Sequence, residues 1–313
     1  MENLLLSVNA VLPMFLQLAA GFVSQRLGVL RREDVPRFNK VAFRVFVPCL
    51  LFYNVYESDL SAAVVPKLIL FAVCGVLLVC ALSVWGVKRF EPRPERRGVI
   101  SQAIFRSNYV IMGLPIAQAL VGSHNLGAVS VLIAIIVPLF NFLAVTVLEG
   151  FRGEKVRAGT ILLEIAKNPL VVSSVLGILF QLLHIRLPGP VEQSVAALGG
   201  IGTSLQLFLL GAFFRFEGLK RYVRPLGTVT AIKLVLIPAV LLGTAAVLGF
   251  RGVEFVALFG IFASPTAVNS FTMVQQMHCG DEELAGDLVV STSAFCMLSF
   301  FLWILVFKSL GLF

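Results

Sequence analysis

The sequence predicts an all-α polytopic membrane protein: ten transmembrane helices in two inverted five-helix repeats, with the fourth and ninth helices broken. Three observations carry that expectation. First, 58% of the 313 residues are hydrophobic and only 13% are charged, about half the charge of an ordinary soluble domain. Second, apolar stretches near the roughly 20 residues that a bilayer core requires recur along the whole chain. Third, the lysines and arginines fall into alternate connections between those stretches.

Six windows are free of charge: Leu4–Ser24, Leu68–Val87, Leu126–Leu148, Gln193–Phe214, Phe255–Met277 and Leu288–Phe307. Four more are apolar but carry charge: Phe38–Tyr56 with Arg44, Gly98–Val121 with Arg106, Ile161–Leu183 with Glu164 and Lys167, and Pro225–Phe250 with Lys233. The first window opens Met1-Glu2-Asn3, without a positive leader or a small-residue cleavage site, and reads as a membrane span. The connections are short, so no soluble domain is expected. Odd-numbered connections and even-side segments divide the remaining basic residues 17 to 4. The positive-inside rule then places the odd connections in the cytoplasm and both termini outside. The same rule accounts for the net charge of +8 without nucleic acid. The five cysteines form no close metal-ligand pair, and no cofactor or metal is expected.

The halves echo each other. Pro13 and Gly21 in the first span recur as Pro169 and Gly177 in the sixth, a shift of 156. Five spans per half is odd, so the second half is inverted, as in alternating-access transporters. The expected division is 1–149 for the first repeat, 150–160 for a short cytoplasmic linker and 161–313 for the second repeat.

The fourth span contains Ser107 to Leu120, SNYVIMGLPIAQAL; the ninth contains FGIFASPTAVNSFTMVQQM. Each combines helix breakers with polar residues near mid-membrane: Asn108, Gly113 and Pro115 in one, Pro265, Thr266, Asn269 and Ser270 in the other. Proline removes an intrahelical hydrogen bond, and a freed backbone group inside a membrane needs a partner or a polar cavity. A half-helix N-terminus also favours an anion. Arg106, two residues before Asn108, adds positive charge there; Lys233 is a second intramembrane cation. Arg44 lies near enough to a span end to snorkel, Lys167 with Glu164 reads as interfacial, and His124 as an outer-loop residue.

At Asn108–Pro115, NYVIMGLP, the chain resembles the auxin efflux carrier family and its bacterial relatives, over essentially its whole length. The resemblance implies a fold like that of the bile-acid:sodium symporters, with a scaffold part and a transport part whose broken fourth and ninth helices cross. It implies transport of a small organic anion, malonate-like or auxin-like. It makes Asn108 the substrate-contacting asparagine and Pro115 the first crossover proline, with Ser270 standing where the family has its second and Pro265 matching an earlier one. The short central connection EGFRGEKVRAG is that of a compact prokaryotic member of the inner membrane. The substrate-binding set is thus Arg106, Asn108, Gly113, Pro115, Pro265, Thr266, Asn269 and Ser270. The alternative is an anion channel or a membrane-embedded ligand sensor. An enzyme is not expected, since P-loop, HExxH and GxSxG patterns are absent. The residues themselves leave open whether the chain forms a homodimer and whether H+ or Na+ is coupled to transport.

Overall fold

The computed structural model describes residues 2–31, 33–57, 65–122, 125–152, 169–213, 222–277 and 279–313. Glu164, Lys167 and His124 lie outside them. Among the described residues the secondary structure is helical apart from one isolated backbone bridge. The first six helices are α1 (Glu2–Arg26), α2 (35–57), α3 (Pro66–Phe90), α4 (Pro94–Phe105), α5 (Tyr109–Val121) and α6 (Gly127–Arg152). The rest are α7 (Pro169–Leu182), α8 (Gly189–Phe213), α9 (Val223–Val247), α10 (Gly252–Phe262), α11 (Asn269–Met277) and α12 (Glu282–Ser309). Helices α3, α6, α9 and α12 are each long and apolar enough to cross a membrane. Helices α4/α5 and α10/α11 are the halves of two interrupted segments, so both halves of the chain follow one order: three helices, an interrupted pair, and a long helix.

The helix ends follow from local sequence. Pro66 and Pro94 each open a helix where a missing N–H costs nothing. Asp281 caps α12 by accepting from the Leu284 amide at 3.0 Å. Basic residues close α1, α3, α6 and α12, complementing the helix dipole.

Three prolines leave a shared mark. Five-residue π-turns at Ala42–Phe46, Tyr109–Gly113 and Ile232–Leu236 end two residues before Pro48, Pro115 and Pro238. Proline has no N–H for the carbonyl four residues back, and its ring crowds that carbonyl. Widening the preceding turn relieves the clash without breaking the helix. At Pro238 the freed carbonyl is Leu234 O, which accepts from Ser299 Oγ at 2.8 Å and Trp303 Nε1 at 2.9 Å, both on α12.

The helices pack as two bundles. One joins α1, α2, α7 and α8; the other joins α3–α6 with α9–α12. They meet where α1 touches α5 and α12, where α8 touches α5, and where α6 touches α2 and α7. In the first bundle α1 and α8 approach through glycine: a Cβ on Gly21 would overlap the Phe208 carbonyl, and one on Gly211 the Leu18 carbonyl. In the second, α10 is buried on every side from Phe255 to Phe262, as a helix apolar all round must be.

Two sets of contacts mark opposite helix ends. At one, Arg96 Nε donates to Asp281 Oδ2 at 3.1 Å, Tyr222 OH donates to Asp281 Oδ1 at 3.3 Å, and Arg152 Nη1 donates to the Met277 carbonyl at 3.2 Å. At the other, Lys67 Nζ donates to the Leu248 carbonyl at 2.7 Å and Gly252 N to the Leu312 carbonyl at 2.8 Å. The first set joins only odd connections, the second only even connections and the C-terminus.

Replacing Ser299 with Ala and Trp303 with Phe together leaves Leu234 O unpaired in an apolar interior. An orphaned buried carbonyl costs about 1–3 kcal/mol, so the double variant melts several degrees below wild type. Either single substitution costs less, because the other donor remains. Thermal melts of the three variants in detergent check this.

Candidate functional site

The two interruptions meet. Arg106 leaves α4 with extended backbone, φ −85° and ψ 111°. Residues 106–108 then run antiparallel to residues 265–267, with Ser107 opposite Thr266. Asn108 N donates to Pro265 O at 2.8 Å, and Ala267 N donates to Arg106 O at 3.2 Å. Exchanging Ser107 with Thr266 maps one hydrogen bond onto the other, so a local two-fold axis passes through the crossing.

Three carbonyls in the last turn of α4 find donors. Gln102 O accepts from Arg106 N at 3.0 Å, Ala103 O from Thr266 Oγ1 at 2.8 Å, and Ile104 O from Lys233 Nζ at 2.9 Å. Lys233 Nζ also donates to Ser107 Oγ at 2.7 Å. On the other strand, Thr266 N donates to Thr292 Oγ1 at 3.2 Å and Ser264 Oγ to Gly260 O at 2.6 Å. Pairing of this kind is what a backbone away from water requires.

The amide side differs. Asn108 O, the first acceptor of α5, takes Met112 N at 3.0 Å and Gly113 N at 3.3 Å. Helix geometry leaves the amides of Tyr109, Val110 and Ile111 without an intrahelical acceptor. A cavity of about 40 Å³ opens there, lined by Arg106–Ile111 together with Val137, Phe140, Asn141, Ala267 and Asn269. None of the lining residues is acidic. Arg106, only 4% exposed, holds its guanidinium on Asn141 Oδ1 of α6 at 2.6 Å and on the Met273 sulfur of α11. Asn108, also 4% exposed, has no hydrogen-bond partner for its Nδ2. The site is thus rich in donors and positive.

Of the residues singled out from sequence, Arg106, Asn108 and Asn269 line the cavity. Pro265 and Thr266 form the crossing itself. Ser270 follows Asn269, buried, with an unpaired Oγ. Gly113 and Pro115 lie beyond the cavity. Gly113 packs against Gly260 of α10, where an added Cβ would stand 2.7 Å from the Gly260 carbonyl. Pro115 follows the widened turn. The crossing therefore lies at Ser107 and Thr266, and not at the expected Pro115 and Ser270. Pro115 stays inside a continuous helix because the π-turn absorbs its steric demand. Arg44 is exposed on α2, and Lys233 is buried against the crossing. Sequence reasoning missed Ser107, Met273 and Asn141. A lone Asn three residues after Pro138, in an otherwise apolar run, was the available signal for the last.

A family model described as membrane transport protein matches residues 6–159 and 154–304. The chain belongs to that family. The resemblance to auxin efflux carriers thus holds over the whole length, and the protein is a multi-pass membrane transporter rather than an enzyme. This membrane transport protein is 23% identical over 308 residues to an uncharacterized transporter of Methanothermobacter thermautotrophicus, covering 96% of this chain and 98% of that one. It is 22% identical over 312 residues to the uncharacterized transporter YfdV of Escherichia coli K12, covering 96% and 97%. It is 21% identical over 309 residues to an uncharacterized transporter of Methanocaldococcus jannaschii, covering 96% and 98%.

Gly113→Ala forces a methyl against the Gly260 carbonyl and the Tyr109 ring, whose Cδ2 would lie 2.6 Å away. Overpacking of this kind costs about 1–3 kcal/mol. The variant melts below wild type, and a thermal melt beside Gly122→Ser decides whether the loss is local. Gly122 has open space around it but φ +80°, so the control reports backbone strain alone.

Proposed function

We propose that this transporter is a secondary carrier for a small organic anion, a mono- or dicarboxylate, bound where α4/α5 and α10/α11 cross. The observation that carries the reading is the donor-rich, carboxylate-free surround of the cavity. The Arg106 guanidinium, the unpartnered Asn108 amide and the free amides of α5 converge on one space that no lining carboxylate offsets. Thr266 and Pro265 fix the backbone of that space, Asn269 supplies a second amide, and Gly113 and Pro115 set the course of α5. At about 40 Å³ the cavity has room for roughly two or three waters. A dicarboxylate enters only after the surrounding helices part. That favours a carrier that alternates between states over a channel with a standing pore.

The same reading takes the chain as ten membrane passes in two inverted halves, 1–149 and 161–313, joined by the linker 150–160. It is supported by the repeated helix order, the local two-fold axis at the crossing and the sorting of odd and even connections to opposite helix ends. The 17-to-4 division of basic residues supports a cytoplasmic odd end.

The binding reading is tested by a screen of malonate, indole-acetate and simple monocarboxylates for uptake into liposomes, followed by titration of the best substrate. A hydrogen bond to a charged ligand is worth about 1.5–3 kcal/mol. Asn108→Ala should therefore lower affinity roughly tenfold or more, with its melting temperature near wild type. Arg106→Gln should cut uptake more than stability. Wild-type affinity in Asn108→Ala would remove the crossing from the binding site.

The topology has its own check. Single cysteines at positions 91, 152 and 189, in a background lacking the five native ones, should react differently with an impermeant thiol reagent on sealed cells. Position 189 labels from outside; positions 91 and 152 label only after lysis. Outside labelling of position 91 inverts the assignment.

A further inference from the structure

Lys233 is unexplained by anion binding. It does not line the cavity, and it is 1% exposed. Its Nζ sits 2.9 Å from Ile104 O and 2.7 Å from Ser107 Oγ, at the C-terminal end of the half-helix α4. In an unbroken helix Ile104 O would accept from the amide of residue 108; here that amide is committed to Pro265 O. A helix C-terminus carries roughly half a negative charge. In transporters built on broken helices, such carbonyl ends are where a coupling cation is held. Around this end the groups given by the structure are the Ser107 hydroxyl and the Thr266 hydroxyl on Ala103 O. Among the described residues, no cluster of His, Cys, Asp and Glu suited to a metal ion occurs.

We propose that the Lys233 ammonium is a tethered cation that fills the place of a coupling ion at the end of α4, so that the crossing is complete without bound sodium. A mobile cation would leave Ile104 O unpaired in part of each cycle. A lysine on α9 keeps it paired throughout and ties α9 to the end of α4 and the first strand of the crossing. Its consequence for coupling rests on the carrier reading above, whereas the site itself does not.

The test uses melting temperatures of the purified full chain in detergent, in choline, sodium or methylammonium chloride at one ionic strength. Wild type should melt alike in all three. Lys233→Ala should melt several degrees lower in choline chloride and recover, saturably, with methylammonium, and to a lesser extent with sodium. Lys233→Met should be lowered and stay so in every salt, because its side chain fills the space without charge. Saturable stabilisation of wild type by sodium overturns the proposal. So does a Lys233→Ala variant as stable as wild type in choline, or one that neither cation restores. If Lys233→Ala does not fold, the wild-type sodium titration decides alone. No transported substrate enters these melts, so their failure leaves the carrier reading intact, and failure of the uptake screen leaves Lys233 assigned.

Discussion

Two backbone hydrogen bonds, Asn108 N to Pro265 O and Ala267 N to Arg106 O, hold the centre of this molecule. In hydrocarbon an unpaired peptide group costs several kcal/mol, so a helix interrupted at mid-depth is not stable by itself. Each interruption here supplies the partners the other lacks. Neither half of the chain can complete its own middle, although Pro265 breaks one helix by its own chemistry. The first break contains neither proline nor glycine between Phe105 and Tyr109. It exists because the second strand is there to pair with it.

The crossing is electrically lopsided, and the asymmetry separates structure from site. On the carbonyl side of the break, Thr266, Lys233 and the Arg106 amide occupy the end of α4. On the amide side, the first N–H groups of α5 have no intrahelical acceptor and border the cavity. Arg106 reinforces the second side while its guanidinium is held by Asn141 and Met273 from two other helices. Three elements thus fix the charge near the amides, and a fourth, α9, cancels the opposite pole. What remains facing the cavity is positive potential.

The sequence made the membrane architecture legible because composition alone decides it: long apolar runs have no other use in a chain this poor in charge. It also marked both interrupted segments, since Asn108, Pro265 and Thr266 are polar or helix-breaking at mid-span. A break at Pro115, as the sequence suggests, is misplaced, because that proline widens its helix and does not end it. Pro48, Pro115 and Pro238 all sit in continuous helices whose preceding turn widens to admit them. Local chemistry does not distinguish a proline that breaks from one that only widens; the partner strand makes that choice. Lys233 shows the same limit. Its charge was visible, but its role depends on a carbonyl 129 positions earlier in the chain.

The packing also says where movement is cheap. The first bundle is locked by the glycine contacts of α1 with α8, where backbone meets backbone and there is no slack. The second is stapled through its centre by the paired strands and the Lys233 contacts, and at one end by Arg96 and Tyr222 on Asp281. Opening the cavity within either bundle would expose paired backbone or buried charge. The hydrogen bonds and ion pairs named above do not reach across the faces between them, α1 against α5 and α12, α8 against α5, and α6 against α2 and α7. Sliding one such face over another exchanges similar contacts and leaves those bonds in place. On the carrier reading proposed above, the crossing bundle therefore moves most cheaply as a unit past the other.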